Sequence, residues 1–193
     1  MKNYQQYPLK FEGIYFNRAQ KIINLLFKIP RTGWCDRNVE NPETVGEHTD
    51  ELVSLSGKLF KIPGLSEMLK IHDWPESEKN IGDRRTDPCC PEERRCSPEK
   101  KYKDELEAMN LICSKLGPYG KRIFNLWLEF EEKKTERAII AYQLDKYQAI
   151  MKAIEYQLKG QPVIAKEFIE HDGPKIKHPT LRNLLDEAIK MLS

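Results

Sequence analysis

Thr44-Val-Gly-Glu-His-Thr-Asp-Glu-Leu-Val-Ser-Leu-Ser-Gly-Lys-Leu59 opens with a threonine followed three residues later by a glutamate. In this S/T-x-x-E arrangement the hydroxyl and the carboxylate each satisfy a free backbone amide at the other's position, so a helix starts at Thr44. Behind the cap, Val45, His48, Leu52, Leu55 and Leu59 recur at steps of three and four. That period gathers side chains on one helical face, and His48 therefore projects from the face bound for the core.

The same period extends in both directions. Upstream, Phe16, Ala19, Ile23, Leu26 and Phe27 line one side of a helix over about 16–28, which Pro30 brings to an end, and 31–42 reads as loop. Downstream, a helix beginning near Leu65 sets Leu65, Met68, Leu69 and His72 on one face, with Glu76 one turn further although Pro75 strains that last turn. The stretch 77–97 holds Gly82, Pro88, Pro91 and ten charged residues and reads as a long irregular surface segment. Ser97-Pro98 caps and opens a helix to about 116, Gly117-Pro118 stops it, and another covers about 119–133 with Ile123, Trp127 and Phe130 inward. Thr135 caps a long helix to about 159 that faces Ala138, Ala141, Leu144, Asp145, Ala149 and Met151 inward. Shorter helices follow over about 163–169 and 180–192. Alternating Val, Ile and Thr runs are missing, so the fold class is all-α.

Composition narrows the function classes. A length of 193 residues suits one domain spanning 1–193, with its core over about 16–188. Hydrophobic residues at 39% are too many for disorder. The longest apolar runs, Ile22 to Phe27 and Ala138 to Tyr142, fall far short of the ~18–20 residues that cross a bilayer. Thirty-two Lys and Arg against 30 Asp and Glu leave a net +2, a balance that does not favour a nucleic-acid partner. The first ten residues carry no apolar h-region and the five cysteines are odd in number, which points to a reduced, cytoplasmic protein.

His48, His72, Asp73 and Asp145 come from three expected helices, each on or beside an apolar stripe where a bare ionisable group is costly. A divalent cation would compensate all four, and two imidazoles with two carboxylates form a mixed donor set suited to Mn, Co, Fe, Ni or Zn. Taken singly, each histidine also reads as a hydrogen-bonded core residue and Asp145 as a buried ion-pair partner. The His-Asp dipeptide recurs at His171-Asp172, where Gly173-Pro174 signals a turn with no helical face, and that copy is assigned no chemistry.

The order His, then His-Asp, then Asp resembles the HD superfamily of metal-dependent phosphohydrolases. Lys28-Ile-Pro-Arg-Thr-Gly-Trp34, Arg37-Asn-Val39, Pro42-Glu-Thr-Val45 with Glu47-His48, and Asn125-Leu-Trp127-Leu-Glu-Phe130 narrow the resemblance to HD-domain 5'-deoxynucleotidases. Leu144-Asp-Lys146, Glu155-Tyr156 and Lys177-His-Pro179 add to it. The resemblance implies an HD-type helical bundle that pairs as a homodimer, uses a divalent cation (Mn, Co, Mg, Fe, Ni or Zn) and hydrolyses deoxyribonucleoside 5'-monophosphates to deoxynucleoside and phosphate. It implies His48, His72, Asp73 and Asp145 as metal ligands and Glu76 as the residue that orients the attacking water or shuttles its proton. It also implies Asp83 as the aspartate acting at the leaving oxygen, and Arg31 and Trp34 as contacts to phosphate and to sugar or base. The family usually separates the glutamate from its Gly-Asp pair by three residues, whereas five lie between Glu76 and Gly82. Glu78 fits the shorter spacing, while Glu76 keeps the four-residue offset from His72.

Two other readings compete. Cys89, Cys90 and Cys96, set among arginines and lysines, could hold zinc or a nucleic acid, but CC-x5-C lacks the paired CxxC ligands of structural zinc sites and reads as a solvated loop. The same fold without turnover would be a nucleotide sensor.

Overall fold

The structure, a computed structural model, describes residues 10–78, 96–190 and 192. Among these, regular structure consists of α1 (Gly13–Leu26), α2 (Thr32–Cys35), α3 (Val45–Leu59), α4 (Leu65–Ile71), α5 (Pro98–Ser114), α6 (Gly120–Glu132), α7 (Glu136–Leu158), α8 (Ala165–Asp172) and α9 (Pro179–Lys190). Short 3-10 turns join them at Trp74–Ser77, Gly117–Tyr119 and Gly173–Lys175. No strand occurs among the described residues, and the all-α expectation is borne out. None of these helices is long and apolar enough to cross a membrane.

The capping box forms as read. Thr44 Oγ1 accepts from the Glu47 amide at 3.1 Å, and the Thr44 amide donates to Glu47 Oε2 at 2.8 Å. Residues 31–42, expected as loop, contain the single turn α2. The segment is closed by an isolated antiparallel bridge between Pro30 and Thr44, in which the Arg31 amide donates to the Glu43 carbonyl at 3.0 Å and the Val45 amide to the Ile29 carbonyl at 2.8 Å. This clasp fixes Arg31 beside the start of α3. A Cβ on Gly46 would stand 2.8 Å from the Phe27 backbone nitrogen, so a glycine is what lets the end of α1 reach α3 there.

The 23-residue α7 is the central helix and packs against α3, α4, α6, α8 and α9. Most of its buried apolar residues join Leu52, Leu69, Trp74, Ile112, Trp127 and Leu181 in one apolar cluster. Each such large side chain contributes about 1.5–3 kcal/mol on leaving water. Two sequence expectations fail at helix surfaces and ends. Phe16, expected inside, is 51% exposed; Phe11 and Tyr15 pack edge-on to Tyr119 instead. α8 runs on through Asp172, so the second His-Asp pair closes a helix rather than following one.

The larger departure lies after α4. The helix stops at Ile71 with His72 as its C-cap, and the chain tightens into the 3-10 turn. Pro75 has no amide to continue the α-helical bonds, and the Glu76 amide reaches back to the Asp73 carbonyl at 3.0 Å, a three-residue step. The expected helical offset between His72 and Glu76 therefore does not exist. Asp73, expected on a helix about 100° round from His72, leaves it at φ −98°, ψ 11°.

Candidate active site

α3 delivers His48, the end of α4 delivers His72 with Asp73, and α7 delivers Asp145. Donor atoms of His48, His72 and Asp145 all lie within 4.8 Å of one another. Asp73 stands outside that tight trio yet faces both rings, its Oδ2 lying 3.2 Å from His72 Nε2 and 3.7 Å from His48 Nε2. Asp145 Oδ1 is 3.2 Å from His48 Nε2, while its Oδ2 pairs with Lys146 Nζ at 2.9 Å. The two imidazole rings lie 5.6 Å apart between centroids, with Phe130 edge-on to His72 at 5.1 Å.

These groups set one another's charge. Burial favours a neutral His72, but the Asp73 carboxylate, helped by Asp145, outweighs it and pushes the ring up to about 9. Asp73 is held well below the usual carboxylate range because His72 and then His48 overcome the cost of burying its charge. Burial opposes ionisation of Asp145 too, and Lys146 with His48 overrides it downward. Glu76, half-buried in the turn, is pushed up to about 7 by burial and by Asp73, against Lys101 and Arg31. Glu78 is turned to a different neighbour, Lys115, at 3.8 Å. Asp83 lies outside the described residues, as do Cys89 and Cys90.

The donor set fits a divalent cation. Both histidines engage Nδ1 elsewhere: His72 Nδ1 lies 2.7 Å from the Leu69 carbonyl and His48 Nδ1 2.7 Å from Gln148 Oε1. Both Nε2 atoms are buried without a well-formed hydrogen bond, and both face carboxylates. A ring nitrogen bonded to a carbonyl on one side and left bare on the other is how metal-ligating histidines are held.

Arg31 closes one side. Its Nη1 is 2.7 Å from His48 Nδ1 and 3.3 Å from Glu43 Oε1. Burial is outweighed by Glu43 and the site's carboxylates, which raise the guanidinium pKa further. Trp34 is buried, stacked on Phe168 at 5.0 Å and edge-on to Tyr156 at 5.1 Å, and its indole N–H donates to Glu43 Oε1 at 3.0 Å. Sequence reasoning overlooked Glu43 and Gln148, which are 6% and 0% exposed. Gln148 lies one turn after Asp145, so the position was findable from helical period; Glu43 sits next to Pro42, before the helix begins, where no period marks it.

The HD domain family matches residues 23–179. The chain is 31% identical over 181 residues to the 5'-deoxynucleotidase HDDC2 of Dictyostelium discoideum, covering 85% of this chain and 91% of that protein. It is 31% identical over 177 residues to the 5'-deoxynucleotidase HDDC2 of Mus musculus, covering 88% and 84%. Among solved structures, a predicted metal-dependent phosphohydrolase from Magnetospirillum magnetotacticum MS-1 superposes with a TM-score of 0.65 at 21% identity, over 92% of this chain and 95% of that one. The PH0347 protein of Pyrococcus horikoshii OT3 gives 0.64 at 23% identity, over 91% and 96%. At those identities the two structures speak for the fold alone. The sequence match extends across both histidines, both aspartates and the helices that carry them, and this chain belongs to the HD-domain 5'-deoxynucleotidase family.

Proposed function

We propose that this protein removes the 5'-phosphate from deoxyribonucleoside 5'-monophosphates, giving deoxynucleoside and phosphate, with a divalent cation held by His48, His72, Asp73 and Asp145. The observation that carries the reading is the pair of buried, unbonded Nε2 atoms turned toward two ionised carboxylates. The relatives' shared name, 5'-deoxynucleotidase, supports the substrate class. A cation bound there would polarise the phosphate and lower the pKa of the attacking water.

The chain's own residues supply the rest. Glu76 orients the attacking water and takes its proton at the carboxylate. Arg31 offers planar paired donors to the phosphate oxygens. Asp83 acts at the leaving oxygen, and Trp34 bounds the sugar side, where an aromatic wall against C2' excludes a hydroxyl. The sequence resemblance supports a homodimer, and the odd cysteine count supports a reduced, cytoplasmic setting; light scattering on the eluted protein tests the dimer.

The test is phosphate release from a panel of 5'-monophosphates with Mn, Co or Mg, or with EDTA, comparing wild type with Asp73→Ala. Release is expected to need the metal, to fall in the variant and to favour dAMP over AMP. Metal-independent release, or release undiminished in Asp73→Ala, overturns the mechanism; equal turnover of AMP and dAMP overturns the sugar wall.

A further inference from the structure

Gln148 lies on the buried face of α7, and the two ends of its amide are not interchangeable. The nitrogen donates to Glu43 Oε2 at 3.0 Å and to Glu51 Oε2 at 2.9 Å. Reversing the amide would aim its carbonyl at two carboxylates, acceptor against acceptor. The carbonyl end is therefore held toward α3, where it meets His48 Nδ1 at 2.7 Å. A carbonyl oxygen only accepts, so this neighbour favours the tautomer with the proton on Nδ1. Arg31 Nη1, also 2.7 Å from Nδ1, only donates and favours the opposite tautomer, so the amide oxygen of Gln148 works against it. The same nitrogen is 3.3 Å from Glu43 Oε1 and from Gln148 Oε1, two acceptors that can draw its hydrogens away from the ring. With the proton on Nδ1, the lone pair of the neutral ring is left on Nε2, the buried atom that faces Asp145 and Asp73.

We propose that Gln148 is a positioning residue: locked by Glu43 and Glu51, it selects the tautomer of His48 that offers Nε2 to the cation. The proposal rests on the reading of His48 as a metal ligand. Lys152 Nζ, 3.2 Å from Glu51 and 3.9 Å from Glu43, offsets the two negative charges that the lock requires. Glu43 also takes the indole proton of Trp34 and pairs with Arg31, so the residues assigned to substrate and a metal ligand hang on the same amide.

The experiment is a Co²⁺ titration of the full chain, followed by visible absorption, with thermal midpoints of the metal-free proteins measured in parallel. Gln148→Leu removes the acceptor and is expected to weaken Co²⁺ binding about 10- to 100-fold, the usual effect of losing such an outer partner. Gln148→Glu keeps an acceptor for Nδ1–H but loses both donors, so it should melt lower while binding Co²⁺ close to wild type. Equal losses of affinity in the two variants, or wild-type affinity in Gln148→Leu, overturn the proposal. Should Gln148→Leu not fold, nitrogen NMR of metal-free wild type, at a pH where the ring is neutral, decides: a proton on His48 Nδ1 supports the assignment and a proton on Nε2 overturns it. A wild-type chain that binds no Co²⁺ overturns the metal-centre reading itself, a result distinct from normal binding that the variants leave unchanged.

Discussion

His72 and His48 reach the same end by different means. A backbone carbonyl one turn back holds His72, whereas a side chain from another helix holds His48. His72 is thus fixed by the local fold of α4, and removing its ring should leave the fold in place while emptying one proposed ligand position. We expect His72→Ala to lower phosphate release at saturating substrate by more than about 100-fold, beyond the cost of losing an outer partner, with far-ultraviolet dichroism unchanged. As the proposed phosphate contact, Arg31 should separate binding from chemistry. Arg31→Lys keeps the charge but loses the planar pair of donors. Losing a charged hydrogen bond worth about 1.5–3 kcal/mol should raise KM by about tenfold or more with a smaller effect on kcat, as read from initial rates.

At the scale of elements, the site depends on how closely α1 and α3 approach and on how tightly α6 turns into α7. Gly46 lies two residues before His48, and a methyl there would press on the Phe27 backbone. Gly46→Ala should cost about 1–3 kcal/mol as an overpacked contact, measured by urea unfolding, and should tilt His48 enough to weaken metal binding as well. At the other corner, Glu129 accepts from Arg137 Nη2 at 2.5 Å and from Thr135 Oγ1 at 2.6 Å, fastening the end of α6 to the start of α7. Burial would raise the Glu129 carboxyl, but these bonds outweigh it and hold it below its ordinary value. A carboxyl depressed in the folded state adds stability above its unfolded pKa and loses it as pH falls through the folded one. Glu129→Gln should therefore destabilise by up to about 1 kcal/mol at pH 7, a solvent-screened pair, and the gap to wild type should close below about pH 4.

Over the whole molecule, a cation held as proposed and the fold would stabilise each other, because three helices must dock before the four donors meet. A cation at about 100 times its Kd adds about 2.7 kcal/mol to the folded state, which for a chain of this size lifts the melting temperature by about 5–10 °C. Calorimetry with and without Co²⁺ should show that shift in wild type and none in His48→Ala. Helix period, caps and the Pro and Gly stops are properties of a few adjacent residues, and they sufficed for the all-α fold and for the inward faces of His48, His72 and Asp145. The end of α4 was less legible, since Pro75 announces a break but not that the chain tightens into a 3-10 turn and swings Asp73 beside His72. Glu43 and Gln148 left no local trace of their partnership, because the bond between them spans 105 residues of chain. The sequence alone settled most of the helical segments and the inward faces of His48, His72 and Asp145, because spacing along one helix decides both. Only the packed molecule decided how those helices sit against one another, and so which nitrogen of each imidazole is left bare, because that depends on contacts between segments whose separation in sequence carries no signal.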